Sequence, residues 1–345
     1  MKIAVIADVH LSRYGQDRVE ETSNLPERLH SIKNTLDNVA EYCINNEIVH
    51  VVIAGDLLHS KSVIYAIAQE LMFDYFERYE KELHFTVIDG NHDLSSKGED
   101  ALSALRSLEH IENVTWITKK PFHLPPGIVF VPYSYNLVDQ VKKNEGRILF
   151  SHFGLNEGIL NSGISIISDL SLNDLAGRYE LVILGHYHKP QEILRDDIKL
   201  YYTGSPIQLD WGEKGDVKRF LVVDTDTLDV QSVPTTGYRQ YIEYEITSEN
   251  KDEIFKKAET MKKAGHHIKL VKKEAVDLDD IKEDYRVVDK TDQDITNRGI
   301  SSSMSQADKL EKYLSIKEIS EKDLKNYKAV GLEIIDACEG EDGRY

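Results

Sequence analysis

The chain has 345 residues, of which 41% are hydrophobic, and its formal net charge is −18 at pH 7. This length allows one large core and a second small unit, and no apolar run approaches the roughly 20 residues that span a membrane. The acidic charge counts against unaided nucleic-acid binding without excluding it, because bound cations reverse the local field.

Two cysteines, in no CxxC pattern, fit a reducing cytoplasm, which is the expected location. The N-terminal residues carry one lysine and lead directly into a metal-type motif, so no signal peptide is expected there.

The first half of the chain alternates short apolar runs with helical patterns. Apolar residues at helical spacing predict amphipathic helices over residues 27–45 and 62–79. Strands alternating with helices predict a layered α/β protein. Five apolar runs read as buried strands that end in polar residues: MKIAVIAD, HVVIAGD, HFTVIDGNHD, GRILFSH and YELVILGHYH.

The polar residues at these strand ends are metal-ligand types. Ligands in open α/β sheets collect at the carboxyl ends of strands, and residues i and i+2 of an extended chain point the same way. Imidazole together with carboxylate suits Mn, Fe or Zn rather than an all-oxygen calcium site. The motifs are Asp8-x-His10, Gly55-Asp56, Gly90-Asn91-His92-Asp93, Ser151-His152 and Gly185-His186-Tyr187-His188.

The pattern of apolar residues changes in the second half of the chain. Residues 224–228 read as the turn of a hairpin, and residues 239–271 read as strand, helix and strand. The predicted domains are a phosphoesterase-like body over 1–237, a small α+β capping domain over 238–285, a polar linker over 286–304 and a helical segment over 305–345.

In this order the motif series resembles that of the calcineurin-like metallophosphoesterases, over roughly residues 1–225. The resemblance implies an αββα-type sandwich with two divalent ions, Mn²⁺ being the expected ion, that share one carboxylate. It implies that His92 lies over the scissile phosphate and that Asp93 orients its ring. The implied ligands are Asp8, His10, Asp56 and His188 for the first metal, and Asp56, Asn91, His152 and His186 for the second.

Three features resemble one branch of that superfamily, the SbcD-type nucleases of DNA double-strand-break repair. GDLLHSKS, residues 55–62, is similar to their Gly-Asp-Leu-Phe-His segment, which implies that His59 helps to place DNA for exonuclease cutting. YTGSPIQLDWGEKG, residues 202–215, is similar to their Gly-Ser-Pro segment. This similarity implies that Ser205 either contacts the DNA backbone or simply caps a turn. For His59 the alternative is a solvated loop residue. The C-terminal order of capping domain, linker and helices is also similar.

The resemblance therefore implies a DNA exonuclease and endonuclease subunit that acts on double- and single-stranded DNA and on DNA ends. A separate SbcC-type ATPase would bind its C-terminal helices, and no membrane partner is expected. The resemblance also implies a homodimer, because helices at the place of the aromatic helix over 64–76 form a dimer contact in the family; the alternative is that its rings simply pack on the sheet.

One observation counts against this interpretation, and two other functions compete with it. The basic clusters are modest: Lys142-Lys143, Lys218-Arg219 and residues 269–273. A small-molecule phosphodiesterase or phosphatase of the same superfamily is the main alternative, because the fold hosts all of these activities. A non-catalytic scaffold is disfavoured, because every ligand position is filled.

Overall fold

The computed structural model describes residues 1–15, 17–274, 276, 278, 285–289, 306–315 and 323–331. These residues form two compact units, one of residues 1–242 with 262–267, the other of residues 243–261 with those described from 268 onwards. Within the described residues, no helix is both long enough and apolar enough to cross a membrane.

The first unit contains twelve strands and four helices. The strands are β1 (Lys2–Ile6), β2 (His50–Ala54), β3 (His84–Ile88), β4 (Val114–Ile117), β5 (Phe122–Leu124), β6 (Ile128–Val131), β7 (Ile148–His152), β8 (Leu181–Gly185), β9 (Gln191–Arg195), β10 (Ile198–Tyr202), β11 (Arg219–Asp224) and β12 (Val230–Pro234). The helices are α1 (Glu27–Asn45), α2 (Ala66–Arg78), α3 (Leu137–Lys143) and α4 (Leu172–Leu175), with 3-10 turns at Arg106–His110 and Trp211–Glu213.

The strands form two six-stranded sheets. Their orders are β12-β11-β1-β2-β3-β4 and β5-β6-β7-β8-β10-β9. Neighbours β1, β2, β3 and β4 are parallel, as are β6, β7, β8 and β10, whereas β11 is antiparallel to β1. The parallel strands bring their carboxyl ends to one edge of each sheet.

The core has three layers of apolar contact. Alternate residues of β1 enter different layers: Ile3 and Val5 lie in the cluster shared by both sheets, and Ala4 and Ile6 in the cluster beneath α1 and α2. A third cluster packs α3 and α4 against the second sheet. Burial on both faces explains why these strands are continuously apolar. The αββα-type sandwich is thereby confirmed.

The helix predicted over residues 62–79 begins at Ala66. Its buried face includes Tyr75 and Phe76, whose rings pack against the core residue Phe85. Those two rings therefore pack on the sheet, while Ile64 and Tyr65, just before the helix, are exposed. The homodimer stays a prediction.

Most of a three-stranded sheet belongs to the second unit. Its order is β13 (Tyr241–Ile246), β14 (His267–Lys272), β15 (Arg286–Asp289), and α5 (Lys251–Lys263) lies between the first two strands in the chain. Strand β15 pairs in parallel with β14, so the first four residues of the predicted linker belong to this sheet. The rest of that linker lies outside the described residues.

The predicted helical tail is present. Helix α6 (Gln306–Ser315) is followed by helical residues 323–331. The two pack side by side, since a side chain at Gly331 would collide with Leu310, and Lys328 Nζ lies 2.5 Å from Glu311 Oε1.

Candidate metal centre

The seven predicted metal ligands lie at the carboxyl ends of the central strands of both sheets. Strands β1, β2 and β3 of the first sheet supply Asp8, His10, Asp56 and Asn91, and strands β7 and β8 of the second supply His152, His186 and His188. Residues from distant parts of the chain therefore meet where the two sheets face each other.

The first group consists of Asp8, His10 and His188, whose ligand atoms lie within 4.8 Å of one another. His10 Nε2 lies 3.0 Å from His188 Nε2 and 3.8 Å from Asp56 Oδ2. The backbone N–H of His186 donates to both carboxylate oxygens of Asp8, at 3.0 Å each. This bond ties the loop after β8 to the loop after β1.

The second group surrounds Asn91. Its Oδ1 lies 3.1 Å from His152 Nε2 and 2.9 Å from His186 Nδ1. His152 Nε2 also lies 3.2 Å from Asp56 Oδ2. The same oxygen of Asp56 thus faces ligands of both groups, as a bridging carboxylate must.

The donor atoms of the site fit bound cations. His152 Nδ1 donates to the carbonyl oxygen of Ala54 at 2.9 Å, so in its neutral form the ring would present a lone pair on Nε2 to the oxygens of Asp56 and Asn91. Acceptors that face one another in a buried site repel unless a positive charge lies among them. Burial lowers the pKa of His152, but the carboxylates of Asp56 and Asp8 outweigh it and raise the pKa to about 9. A divalent ion would supply the positive charge that these facing acceptors require. The mixture of nitrogen and oxygen ligands suits Mn, Fe or Zn.

Other ligands are held in their metal-binding forms. Burial lowers the pKa of His10, and it lowers the pKa of His186 to about 3, so both imidazoles are neutral at pH 7. Burial raises the pKa of Asp56, but neighbouring His152 and His10 outweigh it and hold the pKa below its usual range. Neutral imidazole and ionised carboxylate are the species that bind metal.

The backbone at the ligands is strained. Asp8, His10, Asp56 and His186 have φ values of 54°, 54°, 52° and 100°, in a region that costs non-glycine residues roughly 1–3 kcal/mol each. Close approach also requires Gly90, where an added Cβ would lie 2.2 Å from Asp56 Oδ1. Such turns aim successive side chains into one small volume.

His92 is held by the loop that carries His59. Its ring Nδ1 donates to the carbonyl oxygen of His59 at 2.7 Å, and its backbone N–H donates to Asp56 Oδ1 at 2.7 Å. The His59 ring stacks on the His92 ring, with centroids 5.4 Å apart and planes at 12°. The His59 Nδ1 also lies 3.2 Å from His10 Nδ1. His59 is thus half-buried within the site rather than a solvated loop residue.

The predicted role of Asp93 is wrong. Its carboxylate accepts the backbone N–H groups of Leu58 at 2.9 Å and Gly90 at 2.8 Å, and the His92 ring bonds to His59 instead. Asp93 directly follows His92 in the chain, but its buried side chain turns towards the loop after β2. It ties the loop after β2 to the loop after β3.

Of the two alternatives for Ser205, the structure favours the turn over the DNA contact. Its side chain is fully buried, and its hydroxyl lies 2.9 Å from Ile207 O and 3.0 Å from Glu213 Oε2. The neighbouring Lys218 and Arg219, counted in the sequence as a basic cluster, are buried as well. A strand of DNA cannot reach these groups without unfolding the turn.

Two residues of the site escaped the sequence interpretation. Glu213 accepts the Nδ1–H of His188 at 2.8 Å, and Tyr14 donates from its hydroxyl to the carbonyl oxygen of His10 at 2.9 Å. The Tyr14 ring lies 5.1 Å from the His59 ring and 3.8 Å from the guanidinium carbon of Arg28. No spacing in the sequence connects Glu213 to His188, which is 25 residues away.

Comparison with known proteins identifies the family to which the chain belongs. Residues 1–190 match the calcineurin-like phosphoesterase family. The chain is 24% identical over 244 residues to the DNA double-strand break repair protein Mre11 of Archaeoglobus fulgidus, an alignment covering 64% of this chain and 53% of that protein. It is 25% identical over 242 residues to protein 244L of Invertebrate iridescent virus 6, described as a phosphoesterase, covering 65% and 77% of the two chains.

Among solved structures, a dimetal phosphatase from Danio rerio is similar with a TM-score of 0.46 and 11% identity, over 69% of this chain and 98% of that one. The match to the archaeal protein spans only about half of that relative's length.

Proposed function

Because the chain belongs to the calcineurin-like phosphoesterase family, which implies phosphoester hydrolysis with two divalent metals, we propose that it is an SbcD-type, Mn²⁺-dependent DNA exonuclease and endonuclease of the cytoplasm. The observation that carries the choice of DNA is His59, a third imidazole beside His10 and His92 that no predicted metal requires. We infer that its half-buried ring contacts a DNA strand next to the phosphate that is cut. The similarity to an archaeal break-repair protein supports the same substrate.

The proposed chemistry divides between the metals and the chain. When bound, the two divalent ions would supply Lewis-acid stabilisation of the charge that develops on the phosphate. Asp56 fixes the backbone of His92, and the His59 carbonyl fixes its Nδ1–H, so that a protonated His92 offers its Nε2–H to a substrate oxygen. Asp93 keeps the two loops that carry Asp56 and His92 in register.

The test compares wild type with His59→Ser. With Mn²⁺, wild type should degrade linear duplex DNA and nick circular DNA, and chelator should stop both. The variant should bind Mn²⁺ and nick circular DNA as wild type does, while degradation from DNA ends falls, because the serine keeps the backbone carbonyl that holds His92. His123→Ser, which removes an exposed histidine bonded to Asn144, is the matched control. Equal loss of nicking and of end degradation in His59→Ser would contradict a strand-placing role.

A small-molecule phosphodiesterase or phosphatase is the second candidate. The net charge of −18 favours it, and so does the burial of Lys218 and Arg219, which removes one basic cluster from the surface. A chromogenic phosphodiester separates the candidates. Turnover of that ester with no degradation of DNA at low salt would overturn the nuclease proposal.

We further propose that an SbcC-type ATPase binds the C-terminal helices. Tyr313, Tyr327 and Val330 on these helices are exposed, and aromatic residues are frequent anchors at protein interfaces. The double variant Tyr327→Asp with Val330→Asp should abolish co-elution with such an ATPase while DNA nicking persists; unchanged co-elution would refute the site.

The homodimer is proposed to involve the exposed Val63, Ile64 and Tyr65 before α2. Sedimentation as a monomer at micromolar concentration would rule it out.

A further inference from the structure

Glu213 ends the 3-10 turn Trp211–Glu213 and lies directly behind His188. One oxygen, Oε1, accepts the Nδ1–H of His188 at 2.8 Å. The other, Oε2, lies 2.7 Å from Lys218 Nζ and accepts the backbone N–H of Leu209 at 3.0 Å. The hydroxyl of Ser205 lies 3.0 Å from the same oxygen. Both oxygens of this carboxylate are therefore occupied.

The ion pair between Glu213 and Lys218 is buried: the side chains are 4% and 0% exposed. A buried ion pair is often no more stable than apolar residues of similar volume would be, so stability alone does not account for it. The pair instead keeps a carboxylate in contact with the ring of His188.

Glu213 and Lys218 together hold both the side chain and the backbone of His188. Glu213 fixes the side chain with Nδ1 protonated, which leaves the lone pair of a neutral ring on Nε2, the atom 3.0 Å from His10 Nε2. Lys218 Nζ donates to the backbone carbonyl of the same residue at 2.9 Å. The chain that follows β10 therefore sets both the tautomer and the position of a predicted ligand.

The other histidines of the site have no such partner among the described residues. His152 Nδ1 bonds to the neutral carbonyl of Ala54, and His10 Nδ1 faces His59 Nδ1. His186 faces Asn91 through Nδ1, and no carboxylate in the part of the chain that the structure describes forms an ion pair with its other nitrogen, Nε2. A carboxylate behind an imidazole orients the ring and makes it a more basic ligand, and among the described residues only the group of Asp8, His10 and His188 has this support.

We propose that Glu213 is a positioning residue that raises the affinity of the first metal site through His188, with Lys218 as its buried counter-ion. The inference rests on His188 being a ligand of that site, as the proposed function has it. It places part of the metal affinity in residues 205–218, beyond the segment that matches the family.

The experiment measures Mn²⁺ binding to the metal-free protein by calorimetry. Wild type should bind two ions. Glu213→Gln should weaken one of the two sites about 10–100-fold and leave the other unchanged. Glu27→Gln, which removes a carboxylate from a half-buried ion pair with Arg239, is the control and should leave both affinities unchanged. Equal weakening of both sites, or of neither, would overturn the proposal.

The double variant Glu213→Gln with Lys218→Met separates positioning from charge balance. It removes the buried ammonium that Glu213→Gln would leave with Asp216, 3.4 Å away, as its one remaining carboxylate partner among the described residues. The melting temperature should therefore return towards that of wild type. The weaker site should stay weak, because the carboxylate behind His188 is still missing. Recovery of wild-type Mn²⁺ affinity in the double variant would show that Glu213 only neutralises Lys218. Since the measurement involves no DNA, this proposal can stand if the nuclease proposal fails.

Discussion

A single methyl group at Gly90 should disable the metal centre. An added Cβ would lie 2.2 Å from Asp56 Oδ1 and 2.3 Å from Asp56 N, against 3.0–3.4 Å for the tightest contacts that real Cβ atoms make. The loops after β2 and β3 must therefore separate by roughly 1 Å, and overpacking of this kind costs about 1–3 kcal/mol. Displacement of a catalytic group by 1 Å costs up to about 10²-fold in rate, and here the displaced residue is Asp56, which faces both ligand groups.

The assay for Gly90→Ala combines three measurements: Mn²⁺ binding, hydrolysis of a chromogenic phosphodiester and the melting temperature. We expect hydrolysis to fall about 10²-fold, Mn²⁺ binding to weaken, and the protein to remain folded. Gly15→Ala is the matched control, because a Cβ there meets no atom within 4 Å and the residue has no positive φ. Wild-type hydrolysis in Gly90→Ala would refute the contact between the two loops on which this reasoning depends.

Three further predictions follow from the same loops. His92→Ala should keep both Mn²⁺ ions in calorimetry and lose about 10²–10⁴-fold in turnover; loss of metal to the same degree would contradict its role. Asp93→Asn can accept from only one of the two backbone N–H groups, so urea unfolding should show a loss of about 1–3 kcal/mol, and an unchanged midpoint would speak against that bond pair. Burial raises the pKa of Asp89 from 3.8 to about 6. Since the raised pKa belongs to the folded state, the contribution of Asp89 to stability should fall as pH rises from about 4 through 6, by about 3 kcal/mol. The difference in unfolding free energy between wild type and Asp89→Asn should change by this amount over that range, and a difference that stays constant would contradict the assignment.

The layered fold and the clustering of the strand-end residues could be predicted from the sequence for one physical reason. Parallel strands buried on both faces are continuously apolar, and the first polar residues after them fall at the same edge of the sheet. Asp8, Asp56 and His186 mark such edges, and the structure brings them together as expected. Periodicity likewise placed α1 at the residues where it lies.

The sequence could not show where a side chain turns after its strand ends. Asp93 follows His92 directly, yet its carboxylate binds the backbone of Leu58, 35 residues earlier. Ser205 lies in a segment resembling that of nucleases, yet burial removes it from any substrate. Glu213 supports His188 through a 3-10 turn with no periodic pattern. Each of these outcomes depends on loop conformation, which apolar spacing does not encode.

The position of β1 between β2 and β11 also has a consequence for synthesis of the chain. Asp8 and His186 are bonded across 178 residues, which at about 5–20 residues per second is a delay of roughly 10–40 seconds on the ribosome. Strand β11, which completes the other edge of β1, is made later still. Until then β1 has an unpaired, apolar edge, and an exposed edge of this kind is a template for pairing with another nascent chain.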